Sequence, residues 1–552
     1  MFWWLLCNNF ENYRIAMKTK EGLRDKSDSE IQKLFGICVT VYLLNALRHL
    51  SSYIKIYKWY TNGLIIQQLH ICRALVPTTW FTNEYTRQLT DSTTYKRINN
   101  FDLTKTITDS NNLLRKLQIR FNKLLTTSTD KQLLNTITQD KLQLPYMKLL
   151  PKVHKLTDTG SPSNLDKLTG RPIITAHSWT TSNPSRLLGT ELDKIILQLK
   201  DIFKERNIPY PLIYNSTDLL DLFHNFYVDD IDKFTLTTFD FTSLYTNISY
   251  PDTIHAIITS CKLLNLPTFY RDFLLNLNNF INDRNFFLSG QDIFQQTKGV
   301  AMGSYHSRQI ADLVLLLCEL TFFSNNDTSG LFIFCRYIDD GFMLTDKNSI
   351  TDHITHLSSS YPSQIPITFT TNCHSTHYLD LTISLNYHTI MYHKIHHHIY
   401  QKPHHKYMYP HFSSNHPQHI FTGIIKTETV RYSRLSKTKD DYNFIHKLFT
   451  LRLTALNYPK KLITKHSYPW LPYYNHKRRR LTNKRQCYNS KPTLYYHSKY
   501  NKHARTDKVV RHILHKYHNM YIPKLTKAYC NTKKLHTMLL TNKLLHSKIS
   551  NS

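Results

Sequence analysis

Two adjacent acids interrupt an apolar segment, FIFCRYIDDGFML, that runs from Phe332 to Leu344. Mostly apolar or aromatic residues precede Asp339 and Asp340, and Gly341 and a second apolar run follow, which predicts a β-hairpin with two carboxylates at its turn. Like charges this close repel and raise each other's pKa unless a cation joins them, so a divalent metal ion is their natural partner. Taken alone, the tripeptide Asp-Asp-Gly favours a solvated turn.

A third acid ends a β-rich segment, FTLTTFDF, in residues 234–241. The residues before Asp240 alternate weakly between apolar and polar types, as in a strand of a sheet that is covered on both faces. Tyr245 follows in a segment that we expect to turn back across the strand end. An aspartate that caps a following helix explains Asp240 equally well on this segment alone.

Basic residues next to two strand-like segments could hold phosphate groups. Lys152 lies in LPYMKLLPKVHK and Arg171 in GRPIITAHS, and a polar loop joins the two segments. Arg offers a planar fork and Lys a mobile point charge to phosphate oxygens, so this arrangement can fold over a triphosphate. Two basic residues on a hairpin are otherwise ordinary surface charge.

Glycines are rare in this chain, and two of them lie in residues 296–320. This stretch begins as a loop that contains both glycines and continues as a long apolar segment that predicts a helix. Gly299 and Gly303 at this loop-to-helix junction indicate a close approach of the backbone to a ligand or a template. The plain start of a helix is the simpler alternative.

The composition of the 552-residue chain predicts a folded protein, large enough for several cores, with a polyanionic partner. Lys and Arg number 70 against 39 Asp and Glu, a formal charge of +31 that indicates nucleic acid, with an anionic membrane surface as the alternative. No segment is long and apolar enough for a membrane span or a signal peptide. Nine scattered cysteines without a CxxC pair indicate a reducing compartment. We expect an intracellular protein without a membrane partner.

Charge is concentrated at the C-terminal end of the chain. Residues 471–552 contain nineteen Lys and Arg and one acid, which accounts for +18 of the net +31. The run HKRRRLTNKR, in residues 476–485, predicts either a nuclear localisation signal or a strip that binds phosphates. Its candidate nucleic-acid-binding residues are Lys477, Arg478, Arg479, Arg480, Lys484 and Arg485.

The motifs occur in a fixed order: LLPKVHK, GRPII, FDFTSLYTNI, GVAMGS followed by Ala311, YIDD and YLDLTISL. This ordered series resembles the reverse transcriptases of Penelope-like retroelements, which are relatives of telomerase reverse transcriptase. A KPT-type turn, an S-x-HP element and an E-x-x-R helix resemble the family's thumb at Lys402, Pro403, Ser414, His416, Pro417, Glu428 and Arg431. Many relatives also carry a C-terminal GIY-YIG nuclease, which we do not find in this sequence.

The resemblance implies an α+β, right-hand polymerase with fingers, a palm of antiparallel sheet backed by helices, and a helical thumb. Residues 83–134 show the spacing of apolar residues typical of helices. The implied domains are an N-terminal region without a motif (1–82), a helical N-terminal extension (83–140), fingers (141–233), a palm (234–392), a thumb (393–470) and a basic C-terminal region (471–552).

The resemblance also implies a role for each candidate residue. Asp240, Asp339 and Asp340 would be the catalytic acids that bind two Mg²⁺ ions, with Mn²⁺ as an alternative, and the carbonyl of Phe241 would complete a metal shell. Tyr245 would exclude the 2′-hydroxyl of a ribonucleotide. Gly303 would lie along the incoming nucleotide, and Lys152 and Arg171 would hold its triphosphate.

The implied activity is RNA-directed DNA synthesis, with an RNA template, a DNA primer or target, and deoxynucleoside triphosphates as partners. The basic run at 476–485 leads us to expect a nuclear location. The alternative is a catalytically decayed or repurposed copy that binds nucleic acid, because the family's GSPLSP reads Gly303, Ser304, Tyr305, His306, Ser307, Arg308 here. An RNA-directed RNA polymerase is disfavoured, since YIDD with Tyr245 matches DNA synthesis better than a GDD pattern does.

Histidines in the implied thumb could suggest a metal site. The histidines concerned are His393, His396, His397, His398, His404 and His405. Because the whole chain is rich in histidine and this stretch alternates like a strand, we interpret them as a solvated or nucleic-acid-facing surface.

Overall fold

The computed structural model describes residues 64–66, 75–125, 128–138, 142–152, 168–174, 176–224, 226, 231–385, 395–401, 407, 409–414, 416–473, 475–476, 493–499 and 524–530. The chain divides into two compact units, Met1–Thr86 with Asp158–Leu168, and Arg87–Thr157 with Thr169–Ser552. In the first unit, two short antiparallel strands precede a helix whose Trp80 is buried and donates a hydrogen bond from Nε1 to the carbonyl of Leu168 (2.9 Å).

The described strands are, in chain order, β1 (Leu64–Ile66), β2 (Leu75–Pro77), β3 (Tyr95–Arg97), β4 (Met147–Pro151), β5 (Gly170–Ile174), β6 (Phe234–Phe241), β7 (Phe286–Ser289), β8 (Asp292–Gln296), β9 (Leu331–Tyr337), β10 (Asp340–Asp346), β11 (Ile367–Asn372), β12 (Ser375–Tyr378), β13 (Leu381–Ser384), β14 (His396–Ile399), β15 (Thr493–Lys499) and β16 (Lys524–Cys530).

The described α-helices are α1 (Thr78–Leu89), α2 (Leu103–Phe121), α3 (Ser128–Asn135), α4 (Ser182–Glu205), α5 (Ser216–His224), α6 (Leu244–Asn247), α7 (Tyr250–Leu263), α8 (Thr268–Asp283), α9 (Ser307–Asn325), α10 (Ile350–Ser360), α11 (Gln418–Leu435), α12 (Lys439–Ala455) and α13 (Lys460–His466). None of these helices combines the length and the apolar character that a membrane span requires.

A four-stranded antiparallel sheet, in the order β11-β6-β10-β9, lies at the centre of the second unit. Side chains alternate between its two faces, and each face is covered. Phe239 and Met343 belong to a core that helices α4, α7, α8 and α9 complete. Leu236 and Phe342 belong to a second core with the β12-β13-β14 sheet and helices α5, α11, α12 and α13. The covered sheet predicted around Asp240 is therefore confirmed.

Several elements begin where the sequence offers a capping side chain. Asp102 accepts a hydrogen bond from the main-chain N–H of Lys105 at the start of α2. Ser249 and Asp252 form a capping box at the start of α7, and Thr438 and Asp441 form another at the start of α12. Such caps satisfy main-chain donors that the first helical turn leaves unpaired.

The predicted fold class is confirmed: the chain is α+β, with an antiparallel sheet backed by helices and a helical segment after it. One expectation was wrong in detail, because the helical run of residues 83–134 is interrupted by strand β3. The side chain of Asp91 accepts hydrogen bonds from Thr93 and Thr94, which closes a turn, and Tyr95 then pairs with Gln296 of β8. Turn chemistry and strand pairing override the helical spacing here.

Candidate active site

The two adjacent aspartates lie at the tip of the predicted hairpin, between β9 and β10. Tyr337 pairs with Asp340, which leaves Ile338 and Asp339 as the turn. Ile338 has φ +56°, in the left-handed region that a β-branched residue rarely adopts. Its carbonyl accepts a hydrogen bond from Nη1 of Arg336 (2.8 Å), so a buried cation holds the strained turn in place.

The third aspartate lies directly opposite the hairpin. Asp240 of β6 pairs with Asp340 of β10, so both side chains leave the same face at the same end of the sheet. The main-chain N–H of Phe241 donates to the carbonyl of Asp339 (3.2 Å) and joins the turn to β6. Asp240 and Asp339 are half-buried and Asp340 is exposed. The structure therefore brings the three predicted acids to one end of the sheet, and Asp240 lies in a strand rather than at a helix cap.

Neighbouring side chains fix the main chain at two of these acids. The hydroxyl of Thr368, on β11, donates to the carbonyl of Asp240 (3.2 Å). The hydroxyl of Tyr378, on β12, donates to the carbonyl of Asp340 (3.0 Å). These two bonds are made to main-chain carbonyls, and they fix the backbone from which the two carboxylates project.

The donor set suits a hard divalent cation. Three carboxylates at one sheet end are hard oxygen ligands of the kind that Mg²⁺ prefers, and like charges directly opposite on paired strands are destabilising without a cation. Within the described residues, the three aspartates do not form a group whose ligand atoms all lie within 4.8 Å of one another. The chemistry of the three carboxylates, rather than their present spacing, is what fits the predicted magnesium site.

A buried ionic network, which we did not predict from the sequence, supports the hairpin from behind. Arg336 is fully buried and donates to both carboxylate oxygens of Glu319 and to Asp312 (Nη1 to Oδ1, 3.1 Å). Tyr361 also donates to Glu319 (3.1 Å). Burial raises the pKa of the Asp312 and Glu319 carboxyls, and the guanidinium of Arg336 opposes that rise. The network ties α9 to the turn that presents Asp339.

Two features of the sequence carried a signal for this network. Asp312 and Glu319 are acids seven positions apart in an otherwise apolar helix, and therefore lie on one side of it. Arg336 interrupts an apolar strand. A buried charge needs a partner of opposite sign, so these three residues could have been paired in advance.

Tyr245 lies next to the acids, on the short helix α6. Ser243, at φ +55°, turns the chain sharply after β6 and lets α6 return toward the sheet. Burial raises the pKa of Tyr245 to about 12, and the nearby charges of Asp312 and Asp339 add to the rise. The predicted return of this segment across the strand end is thus found, with the phenol half-buried.

Gly299 packs against the main chain of helix α6. It has φ +81°, and a Cβ there would lie 2.7 Å from the Cα of Thr246. The next residue, Val300, donates its main-chain N–H to the carbonyl of Tyr245 (2.6 Å). Gly299 thus approaches the main chain of α6, whereas the predicted close approach to a ligand or a template stays a prediction.

We expect Gly299→Ala to destabilise the protein by about 3 kcal/mol, because a left-handed φ costs an L-residue roughly 1–2 kcal/mol and an overpacked Cβ costs about 1–3 kcal/mol more. Gly290→Ala is the matched control: its φ is +64°, but nothing lies within 4 Å of the added Cβ. Urea unfolding of both variants should show the smaller loss, about 1 kcal/mol, for Gly290→Ala. Equal losses would show that contact with α6 contributes nothing.

The predicted phosphate-binding residues lie on the antiparallel β4–β5 hairpin. Arg171 is exposed and pairs with Leu150, while Lys152 is half-buried just beyond β4. The main-chain N–H of Ile174 donates to the carbonyl of Met302 (2.8 Å), next to Gly303. The hairpin therefore adjoins the loop that contains Gly299 and Gly303, here called the glycine loop, as the resemblance implied.

The loop of residues 303–308, where the sequence departs from the GSPLSP pattern, is held by contacts with other parts of the chain. His306 is buried, and Ser185 accepts from its main-chain N–H (3.1 Å) and contacts its Nδ1 (2.9 Å). Burial lowers the pKa of His306 to about 4, so the imidazole is neutral. Tyr305 contacts His177 (2.9 Å), and the guanidinium of Arg186 lies 4.5 Å from its ring centre and donates to its hydroxyl. These contacts hold Tyr305 and His306 against other parts of the chain.

Parts of the predicted thumb can also be located. Ser414 contacts Nδ1 of His416 (2.8 Å), and Arg431 pairs with Glu428 (2.9 Å) on α11. Lys402, Pro403 and the six basic residues of 477–485 lie outside the described residues.

Comparisons with known proteins add two findings. The family model of the animal helix-turn-helix domain matches residues 408–468, which include α11, α12 and α13. No curated protein sequence matches the chain.

Three solved structures are among those similar to the chain. Telomerase from Candida albicans, in complex with a fragment of telomeric RNA, is 11% identical over 76% of this chain and 64% of that one, with a TM-score of 0.45. Apo telomerase from Candida tropicalis is 10% identical over 73% and 65%, with a TM-score of 0.40. The RNA-dependent RNA polymerase of a human picobirnavirus is 12% identical over 77% and 86%, with a TM-score of 0.39. The chain thus spans less than two thirds of either telomerase.

The fold and the site define an α+β protein whose central antiparallel sheet carries three aspartates at one end. A basic hairpin, a glycine loop and a half-buried tyrosine lie in the elements joined to that sheet end.

Proposed function

We propose that the chain is an RNA-directed DNA polymerase of the Penelope-like kind, which extends a DNA primer on an RNA template. The observation that carries the proposal is the position of Asp240 directly opposite Asp340, with Asp339 in the adjoining turn. Acids from adjacent strands are what a two-metal phosphoryl transfer requires. The overall charge of +31 supports a nucleic-acid substrate.

Asp240, Asp339 and Asp340 would hold the metal ions, with the carbonyl of Phe241 as a further ligand. Two bound Mg²⁺ ions would supply activation of the primer 3′-hydroxyl and neutralisation of the leaving pyrophosphate. The chain's own carboxylates would hold the ions, and thereby set where the primer hydroxyl meets the α-phosphate. Arg336 is a positioning residue, because it holds the carbonyl of Ile338 and thereby the turn of Asp339.

The nucleotide would lie between the β4–β5 hairpin and the sheet end. Arg171, on β5, and Lys152, just after β4, would bind its triphosphate, because guanidinium and ammonium groups pair with phosphate oxygens. Gly303 would lie along the nucleotide, because its exposed backbone leaves room for close approach. The match of residues 408–468 to a helix-turn-helix family supports a further contact of this segment with DNA.

Primer extension by the purified full-length protein tests the proposal. We expect Mg²⁺-dependent extension of a DNA primer annealed to RNA with deoxynucleotides. Binding of the RNA–DNA duplex with a steep salt dependence, but without extension, would favour the decayed or repurposed copy. Extension with ribonucleotides alone would favour an RNA polymerase. The basic run at 476–485 further suggests a nuclear location, which a fluorescent fusion with and without that run would test.

Tyr245 provides a narrower test of the site. We expect Tyr245→Ala to raise the use of ribonucleotides relative to deoxynucleotides by at least about tenfold, since removing a clash of roughly 1.4 kcal/mol gives that factor. Incorporation of each nucleotide class on one primer–template measures the ratio. Tyr250→Ala, which alters a tyrosine of α7 that bonds to Asn279, is the control and should leave sugar selectivity unchanged. Unchanged selectivity in both variants would contradict the role of Tyr245.

A further inference from the structure

A second group of possible metal ligands lies away from the aspartates, in the second core. Strand β14 reads HHHI, and its side chains alternate between two faces. His397 is buried, and its Nδ1 lies 3.1 Å from the carbonyl of Leu435. His396 and His398 point to the other face and are half-buried. Our expectation of a solvated or nucleic-acid-facing surface is therefore wrong for the buried His397, and it stays a prediction for the half-buried His396 and His398. His393, His404 and His405 lie outside the described residues.

Asp441 completes a group with His396 and His398. One ligand atom from each of these side chains lies within 4.8 Å of the other two, and within the described residues no other such group of His, Cys, Asp or Glu occurs. Nε2 of His396 lies 3.7 Å from Oδ2 of Asp441, and these two side chains are only 25% and 20% exposed. Three potential ligands thus converge from a strand and a helix that are remote in sequence.

The capping role of Asp441 engages one of its two carboxylate oxygens. Its Oδ2 accepts hydrogen bonds from the main-chain N–H (3.1 Å) and the hydroxyl (2.6 Å) of Thr438, which forms the capping box of α12. The capping box uses Oδ2, which is also the oxygen that lies 3.7 Å from Nε2 of His396, so Oδ1 is the oxygen that would bind a cation with the box intact. The box also fixes the carboxylate in place, and fixed ligands lose less conformational entropy when an ion binds.

The group offers two imidazole nitrogens, which are of borderline hardness, and one hard carboxylate oxygen. They suit Zn²⁺, whose bonds to nitrogen and oxygen are about 2.0–2.2 Å, so ligand atoms in a tetrahedral shell lie about 3.3 Å apart. The ligand atoms now lie within 4.8 Å of one another, so the two imidazoles would rotate inward to reach that spacing while the capping box holds Asp441. Mg²⁺ is a poorer fit, because it prefers oxygen ligands and keeps several waters.

We propose that His396, His398 and Asp441 bind one Zn²⁺ ion, with water in the fourth position, and that the ion fastens the start of α12 to β14. The proposal is independent of polymerase activity. An ion pair between His396 and Asp441, without a metal, is the arrangement to be distinguished from it.

Zinc binding by the full-length protein tests the site. Protein stripped with a chelator is titrated with Zn²⁺ against a chromophoric competitor, and separately with Co²⁺, whose visible absorption reports tetrahedral nitrogen and oxygen ligands. We expect the wild type to bind one more ion tightly than His396→Ala/His398→Ala does, with at least about 100-fold weaker binding at this site in the variant, since even changes outside the ligand shell cost 10–100-fold.

A matched control is needed because the chain contains 31 histidines. His255→Ala/His466→Ala removes two histidines from α7 and α13 and should bind zinc as the wild type does. Asp441→Asn keeps an oxygen for the capping box but weakens the metal ligand, so it tests the site if the double variant fails to fold. We expect zinc to raise the unfolding temperature of the wild type but not of Asp441→Asn. The same stoichiometry and the same zinc-dependent stabilisation in all variants would overturn the proposal.

Discussion

Replacement of Asp339 by alanine is expected to lower primer extension by at least about a thousandfold, while binding of the RNA–DNA duplex stays within about twofold of the wild type. Loss of a carboxylate that stabilises transition-state charge removes several kcal/mol, and each 1.36 kcal/mol is a factor of ten in rate. The fold should tolerate the change, because the hydrogen bond from Phe241 uses the carbonyl of Asp339 and not its side chain. Steady-state extension rates and duplex affinity measure the two effects separately.

Two further variants make this result specific. Asp339→Asn keeps the volume and hydrogen-bonding capacity of the side chain but loses the charge, so it should be nearly as inactive as Asp339→Ala. Asp201→Ala removes an exposed acid from α4 and changes the net charge equally, so it should extend primers normally. Wild-type rates for Asp339→Ala would contradict the assignment of the metal site, whereas joint loss of extension, binding and thermal stability would indicate misfolding.

Local patterns in the sequence were enough to predict the elements that carry the site. The hairpin of Asp339 and Asp340 and the covered strand of Asp240 each follow from apolar runs and turn residues within fewer than fifteen positions. The side chain period of a strand also fixes which residues share a face. The pairing of Asp240 with Asp340 joins positions a hundred residues apart, so local patterns do not predict it. The family resemblance is what suggested that the acids meet at one end of the sheet.

What could not be predicted depends on partners that lie across the core. The reason for Gly341 is an example: a Cβ there would lie 1.9 Å from the ring of Phe239, so the glycine makes room for a neighbouring strand rather than for the turn itself. His397 is another, since its alternation on β14 is visible in the sequence but the carbonyl of Leu435 that it meets is not. A sequence shows which side of an element a residue faces, while the identity of the opposing atoms is set by tertiary packing.

Arg336→Met is expected to lower the free energy of unfolding by about 3–5 kcal/mol, the cost of breaking a buried ion pair and leaving its partners buried and charged. It should also slow primer extension, because the carbonyl of Ile338 loses the donor that holds its turn. Arg97→Met is the matched control: Arg97 pairs with Asp292 at 2.6 Å, but both side chains are exposed, so the loss should be at most about 1 kcal/mol. Urea unfolding at neutral pH measures both variants.

The pH dependence of this loss distinguishes charge from packing. Without Arg336, the carboxyls of Asp312 and Glu319 lose the largest contribution that opposes the effect of burial, so their pKa values rise further above those of the unfolded chain. Arg308 still lowers the pKa of Asp312, and the hydrogen bond from Tyr361 still lowers that of Glu319. The folded variant then binds more protons than its unfolded state, and its stability falls as the pH rises from the unfolded carboxyl range toward the raised folded values. Arg336→Met should therefore recover part of its lost stability at pH about 5 relative to pH about 7, where unfolded carboxyls have pKa values of roughly 4. Glu319→Gln in the same variant should give a similar recovery at neutral pH by removing one buried charge. A deficit that is independent of pH and unaffected by Glu319→Gln would mean that Arg336 contributes through packing, and that the charge balance beneath the aspartate turn is not what holds it.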